Sequence, residues 1–375
     1  MKQLSIYVHV PFCVKKCLYC DFLSFNARPE LIDGYFGALV KEIEACADKF
    51  RDYEIKSVFF GGGTPSFVDS RLICETLGVV AGNFRIRSDA EISIEVNPAS
   101  AIYGKLCNYR QAGFNRISIG AQSLNDSELV AIGRAHDKKA FYETFENARK
   151  AGFSNINVDV MSALPGQSLD SYMDTLKKVV SLRPEHISAY SLIIEEGTPF
   201  YDMKLDLPSE EVDRAMYHET KRFLEEHRYH RYEISNYALG RDHECSHNKV
   251  YWTRGEYLGL GIGAASMVDN RRWNNTRNVE DYIQNSTNPD SVRENVEELD
   301  VKAQMEEFMF LGLRLVEGIS ISEFERQFGK DIFAVYGDVI SRYREMGLLE
   351  LQKGWLRLTD KGLDVSNTVM ADFLL

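Results

Sequence analysis

Six times within the first two hundred residues, a short apolar run ends in Gly, Asn or another polar residue and gives way to an amphipathic stretch. The apolar runs occupy residues 5–10, 56–61, 91–96, 116–120, 155–161 and 185–192. Helical periodicity fills 31–50, 71–84, 100–112, 140–151 and 169–182 between them. A repeated strand-then-helix step implies parallel strands joined by helical crossovers. Its most economical closure is an α/β fold, a partial (β/α)6 TIM-like barrel over residues 1–200, with chemistry gathered at the C-terminal strand ends. A doubly wound open sheet is the alternative topology that the pattern leaves open.

The texture changes after residue 200. A long helix is expected over 210–227 and a strand over 232–237. A polar, His-rich loop follows over 240–252, then a Gly-rich stretch over 257–266 and a polar linker over 285–298 around Pro289. Residues 201–298 read as a barrel extension. Residues 299–375 read as a small winged-helix-like domain, with helices over 304–315, 322–328 and 332–346. Its hairpin is Leu349-Glu350-Leu351-Gln352 and Trp355-Leu356-Arg357-Leu358 around Lys353-Gly354. Such domains often bind DNA, but this one has no basic enrichment. The whole chain carries a formal charge of −12. No nucleic-acid partner is expected.

No membrane span and no signal peptide are legible, so a cytoplasmic protein is expected. In that compartment the seven cysteines are not a disulfide framework. Three of them stand close together, Cys13, Cys17 and Cys20, in the loop after the first strand. Three thiolates at C-x3-C-x2-C spacing can wrap a soft-metal centre, and the absence of a nearby fourth ligand argues against structural zinc. They suit a [4Fe–4S] cluster with one iron left open. Cys46, Cys74 and Cys107 fall in candidate helices and read as buried small hydrophobes.

This motif after the first strand of such a barrel resembles the radical S-adenosylmethionine superfamily. The resemblance implies that Cys13, Cys17 and Cys20 bind three irons and that S-adenosylmethionine chelates the fourth. Gly61-Gly62-Gly63-Thr64-Pro65, after the second strand, resembles the superfamily's amino-acid-binding loop. Glu95, Gln122 and Asp159 sit at or near the ends of the third, fourth and fifth strands, and Arg134 lies one helix beyond the fourth. With Tyr7-x-His9-x-Pro11-Phe12-Cys13, the set is similar to the branch containing oxygen-independent coproporphyrinogen III oxidase and its relatives. Carried over, the S-adenosylmethionine contacts are Tyr7, Gly62, Gly63, Thr64, Glu95, Gln122, Arg134 and Asp159.

Two departures separate the chain from the oxidase. The oxidase continues its motif with a further cysteine where this chain has Phe22, and it has a longer N-terminal extension. His247-Asn248-Lys249-Val250-Tyr251-Trp252 instead resembles the H-N-x-x-Y-W string of the heme chaperones of this branch. The resemblance implies that His247, Tyr251 and Trp252 contact heme, with His243 and Cys245 as alternative iron ligands. It implies delivery of heme to apo-hemoproteins, membrane respiratory enzymes foremost. Whether S-adenosylmethionine is cleaved and whether the chain forms a homodimer are left open. The rival readings are the radical oxidative decarboxylase and a redox-sensing winged-helix regulator.

Overall fold

A computed structural model describes all residues, Met1–Leu375. Six parallel strands form the centre: β1 (Lys2–Val10), β2 (Tyr53–Gly62), β3 (Ile86–Val96), β4 (Arg116–Gln122), β5 (Ile156–Ser162) and β6 (His186–Ser191). The intervening helices are α1 (Pro29–Ala47), α2 (Ser70–Asn83), α3 (Tyr103–Ala112), α4 (Asp126–Ala131), α5 (Lys138–Lys150) and α6 (Leu169–Ser181). The strands lie side by side in chain order. Each crossover therefore steps the same way, and there is no reversal of order, the switch point that defines a doubly wound sheet. The short α4 escapes the sequence reading because six residues are too few to establish a period.

Alternation along each strand divides the sheet into two faces. Leu4, Ile6, Val8 and Val10 are fully buried in one core of 55 residues shared with the helices. The intervening Ser5, Tyr7 and His9 face the concave side. The same alternation runs through Ile117/Ser118, Val158/Asp159 and Ile187/Ser188, so the lumen is polar.

The sheet does not close on itself. α7 (Glu210–Glu226) leads into β7 (His230–Arg231) and β8 (Asn236–Ala238), which extend the β6 edge antiparallel. The single strand expected over 232–237 is thus a tight hairpin. The Arg231 guanidinium takes the carbonyls of Glu233 and Ile234, and the Glu233 carboxylate accepts the Ser235 amide, so the chain turns back there. The expected His-rich loop contains instead a short helix, α8 (Ser246–Trp252). The Glu91 carboxylate accepts the Ser246 and His247 amides at 3.1 and 3.0 Å and caps its N-terminus from inside the barrel.

Beyond α8, β9 (Tyr257–Leu260) pairs with β1, and β10 (Ala265–Val268) and β11 (Arg271–Asn275) follow. After α9 (Val279–Asn285), β12 (Arg293–Glu298) completes a sheet of 12 strands. The second half of the expected linker over 285–298 is therefore an edge strand, reached through a short 3-10 turn at Pro289–Ser291. Val292 is buried in the main core, Arg293 stacks 4.4 Å from the Trp273 ring, and Asp290 pairs with Lys49. A polar composition is what an exposed edge strand requires to avoid pairing with other chains.

The remaining residues form a module with its own core of 16 residues. It comprises α10 (Val301–Gly312), β13 (Ile319–Ser320), α11 (Ile321–Phe328), α12 (Ile332–Glu345), β14 (Leu349–Gln352), β15 (Trp355–Leu358) and the short α13 (Asp360–Asp364) and α14 (Ser366–Ala371). The expected hairpin turns at Lys353 and Gly354, both with positive φ, and β13 adds a third strand. The module docks through a buried ion pair, Arg254 Nε to Glu307 at 2.9 Å, with Arg272 on the other carboxylate oxygen. Arg314 lies 4.2 Å over the Trp252 ring at the same junction.

Removing one partner of a buried pair leaves an uncompensated charge. Glu307→Ala is expected to lower unfolding free energy by about 3–5 kcal/mol in denaturant titration. A loss under about 1 kcal/mol would show that the pair does not hold the junction.

Candidate cluster and S-adenosylmethionine site

The loop after β1 is held in place before any cofactor is considered. Pro11 and Phe25 close its base, with Phe25 N donating to Pro11 O at 2.8 Å and Cys13 N to Phe25 O at 3.0 Å. Its flank rests on the β4 side, where Leu18 N bonds Ile132 O. Cys13, Cys17 and Cys20 all line one cavity of about 350 Å³ at the C-terminal strand ends. Burial raises the pKa of the Cys13 and Cys20 thiols. No set of three His, Cys, Asp or Glu side chains in the chain converges on a single-ion point. Three thiolates lining one cavity can each take one iron of a cube and leave the fourth open.

The second wall is Gly61-Gly62-Gly63-Thr64. Gly63 N donates to Val10 O at 2.8 Å and Thr64 N to Phe12 O at 2.9 Å, so this loop is stitched to the cysteine loop. A Cβ at Gly63 would lie 2.8 Å from Val10 O and 2.9 Å from Phe12 N, and Gly62 has φ +108°. Only glycine permits that approach. Thr64 Oγ1 sits 3.3 Å from Cys13 Sγ. The ammonium of Lys105 donates to the carbonyls of Ser66, Phe67 and Val68, fixing the turn that follows.

The charged groups complete the cavity. Glu95 accepts the Gly62 amide at 3.2 Å. Burial, with Asp159 nearby, pushes its pKa up to about 7. Asp159, also raised by burial, accepts from Asn157 at 2.7 Å and Ser118 at 3.2 Å. Arg134 donates to Gly120 O at 2.7 Å and reaches Cys17 Sγ at 3.7 Å, while its buried Nε has no partner. Gln122 adopts φ +64° at the end of β4 and accepts from Tyr190 at 3.1 Å. Two carboxylates, one arginine and close glycine backbone are a donor and acceptor set for a zwitterionic amino acid. The three cysteines, Gly62, Gly63, Thr64, Glu95, Gln122, Arg134 and Asp159 all line the cavity.

Tyr7 does not line it. Its hydroxyl is 3.1 Å from His9 Nδ1, and its ring stacks on Phe59 deeper in the lumen. Ser118, Ser188, Tyr190, Asn236 and Asn248, to which the sequence assigned no role, also line it, as does Tyr19 of the cysteine motif. The period-two alternation of β4 and β6 carried the signal for Ser118, Ser188 and Tyr190. Nothing local marked Asn236, and Asn248 lay in the His247–Trp252 string without a role assigned to it.

His247 is 1% exposed, not on a surface loop. Its Nδ1 lies 3.0 Å from Ser57 Oγ and its Nε2 3.0 Å from Tyr251 Oη, and the ring stacks on Phe59 at 5.1 Å. Burial, then Lys56, lowers its pKa to about 3, so the imidazole is neutral. The indole face of Trp252 is covered by Arg314, and its Nε1 is buried without a partner. Cys245 is buried, and the half-buried His243 gives its carbonyl to Arg116 at 3.0 Å. Cys46 is buried as expected, but Cys74 and Cys107 are only half-buried, Cys74 bonding Asn108 O at the helix surface.

A three-thiolate loop over a polar cavity at the mouth of a partial barrel defines a radical S-adenosylmethionine protein. The family description "Radical SAM superfamily" matches residues 7–179, and "HemN C-terminal domain" matches 299–365. The heme chaperone HemW of Bacillus subtilis is 34% identical over 375 residues, covering 99% of both chains. The zebrafish "Radical S-adenosyl methionine domain-containing protein 1, mitochondrial" is 34% identical and covers 100% of this chain and 86% of its own. The structure of Escherichia coli coproporphyrinogen III oxidase, HemN, a radical SAM enzyme, superposes with a TM-score of 0.88 at 26% identity, covering 100% of this chain and 90% of its own. The chain belongs to the HemW family of heme chaperones within the radical SAM superfamily. No helix is long and apolar enough to cross a membrane.

Glu95 generates a pH test. Its folded pKa lies above its unfolded value, so the folded state holds more protons between pH 4.5 and 7 and loses stability as pH rises through that window. Glu95→Gln is expected to gain on the parent by roughly 1–2 kcal/mol from pH 4.5 to 7, cavity water screening part of the penalty, and to show a constant offset above. Parallel stability curves in thermal melts across that range would contradict the assignment.

Proposed function

We propose that the protein binds heme and delivers it to apo-hemoproteins while carrying a [4Fe–4S] cluster on Cys13, Cys17 and Cys20 and S-adenosylmethionine in the adjoining cavity. The observation that carries the chaperone reading is the end-to-end likeness to a heme chaperone, 99% of each chain, in a sequence with Phe22 where the oxidase has a further cysteine. Its place of work in this reading is the cytoplasm, and its recipients are respiratory enzymes at the membrane.

A bound cluster supplies single electrons to the sulfonium of S-adenosylmethionine. This chain's residues do the positioning. Glu95 and the Gly62–Gly63 backbone receive the ligand ammonium, and a cation there returns Glu95 to its ionised form. Arg134, whose Nε is unpartnered, holds the carboxylate. Thr64 tethers the ligand wall to Cys13. Cys17→Ala is expected to remove the broad visible absorption of anaerobically reconstituted protein and most of its iron and sulfide. Unchanged iron and sulfide would reject the ligand set.

His247, Tyr251 and Trp252 enter as heme contacts only when α8 lifts from β2, because both imidazole nitrogens and the indole face are engaged in the closed arrangement. The neutral imidazole is the form that ligates iron. His247→Ala is expected to shift the Soret band and weaken heme binding in titrations, leaving the cluster absorption intact. An unchanged spectrum and affinity would end the axial role and turn attention to His243 and Cys245. The fold likeness at TM-score 0.88 favours a second reading, the oxidase. Incubation with coproporphyrinogen III, S-adenosylmethionine and reductant separates the two: the chaperone reading expects no decarboxylation.

A further inference from the structure

An iron ligand for incoming heme must be an imidazole nitrogen that is both free and reachable, and His247 offers none while α8 is seated. His9, His186 and His247 each engage both ring nitrogens. His230 Nε2 is held by Glu244 at 2.9 Å, and His136 is buried. His227 differs. It is exposed at the C-terminal end of α7. Its Nδ1 lies 2.7 Å from Phe223 O. A carbonyl only accepts, so Nδ1 carries the proton, and in the neutral ring the lone pair sits on Nε2. That nitrogen has no hydrogen-bond partner. An Nδ1–H bonded to a backbone carbonyl is the arrangement that fixes a metal-ligating imidazole. The Phe223 ring packs against the imidazole at 4.2 Å and holds its orientation.

His227 lies on a cleft of about 610 Å³ between the C-terminal ends of α6 and α7, beside the start of β6 and so at the opposite end of the strands from the cluster cavity. Its volume is within the ~300–1,000 Å³ of cofactor sites. Val180, Phe223 and Leu239 form an apolar wall, and Lys177, Arg183 and Arg228 bring three cations. Glu226, the one carboxylate there, is taken by Arg222 at 2.7 Å, and the neighbouring Lys178 is paired with Asp174. Lys177, Arg183 and Arg228 have no ion-pair partner. In a chain of net charge −12, three unpaired cations around one cleft are a local exception. Arg183 and Arg228 also occupy left-handed positions just past their helix ends, with φ +53° and +70°, where glycine is favoured.

We propose that this cleft is a heme-docking site, with His227 Nε2 on the iron, the macrocycle against the apolar wall, and the propionates on Lys177, Arg183 and Arg228. This rests on the reading that the protein binds heme, and it adds a place for heme that is separate from His247. A small inorganic anion has no use for the apolar wall or the free imidazole, and a purely apolar ligand has none for the cations. A flat apolar macrocycle with two carboxylates on one edge and a metal at its centre uses all three. Coordination draws on the Nε2 lone pair and displaces an axial water or hydroxide, with no change in the oxidation state of the iron. Because the cleft is open, heme enters and leaves it without α8 moving.

The test is a titration of the reconstituted full-length protein with ferric heme, followed by Soret difference absorption at low and high salt. The parent is expected to show an imidazole-ligated component whose affinity falls as salt rises. His227→Ala is expected to weaken that component about tenfold or more and to change its spectrum, with cluster absorption unchanged. The double variant Arg183→Gly, Arg228→Gly places glycine where φ is positive, so its fold is preserved. It is expected to keep the Soret position, to bind about tenfold more weakly at low salt and to lose most of the salt dependence. Parental spectrum and affinity in His227→Ala, or a component lost only in His247→Ala, would overturn the proposal. Parental affinity and salt dependence in the glycine variant would overturn the propionate contacts. A parent that binds no ferric heme would end the chaperone reading itself, before the cleft is reached.

Discussion

Two hydrogen bonds, Gly63 N to Val10 O and Thr64 N to Phe12 O, hold the cysteine loop and the glycine loop together as one body. They continue the β1–β2 pairing past the strand ends, and they require a backbone with no side chain at Gly63. The remaining features of the site follow from that junction. It places Thr64 against Cys13 and brings the Gly62 amide to Glu95. Three cysteines on a free loop would have no defined neighbour for their open iron. Joined to the second strand, they face the wall that holds two carboxylates and an arginine.

α8 closes the opposite end of the barrel, its N-terminus capped by Glu91 and its His247 bonded to Ser57 and Tyr251. On its outer side, Trp252 meets Arg314 of the C-terminal module. The same seven-residue helix thus touches the floor of the cavity and the docked module. The module therefore packs directly on the helix that carries His247.

Much of this was legible in the sequence, for definable reasons. Six strand–helix steps required parallel strands and made chain order the most economical arrangement, and the cysteine spacing and glycine run were local motifs visible without any tertiary contact. Glu95, Gln122, Arg134 and Asp159 were legible because strand ends converge whatever the detailed packing. The misreadings share a cause: they concern segments whose structure is decided by partners far away in sequence. Residues 246–252 look polar and loop-like, but their helix is capped by Glu91, more than 150 residues away. The strand at 293–298 has an edge strand's polarity, which resembles a linker until β11 is seen beside it. Tyr7 is on the lumen face of β1, where alternation puts it, and packs against His9 and Phe59 outside the cavity lining.

Iron Mössbauer spectroscopy of reconstituted, 57Fe-labelled protein examines the central claim most directly, that three thiolates hold a cube whose fourth iron opens onto the cavity. Adding S-adenosylmethionine should alter the parameters of one iron of the four and leave the three thiolate-bound irons essentially unchanged. A spectrum in which all four irons are unaffected by S-adenosylmethionine, or in which the iron is mononuclear, would contradict the account.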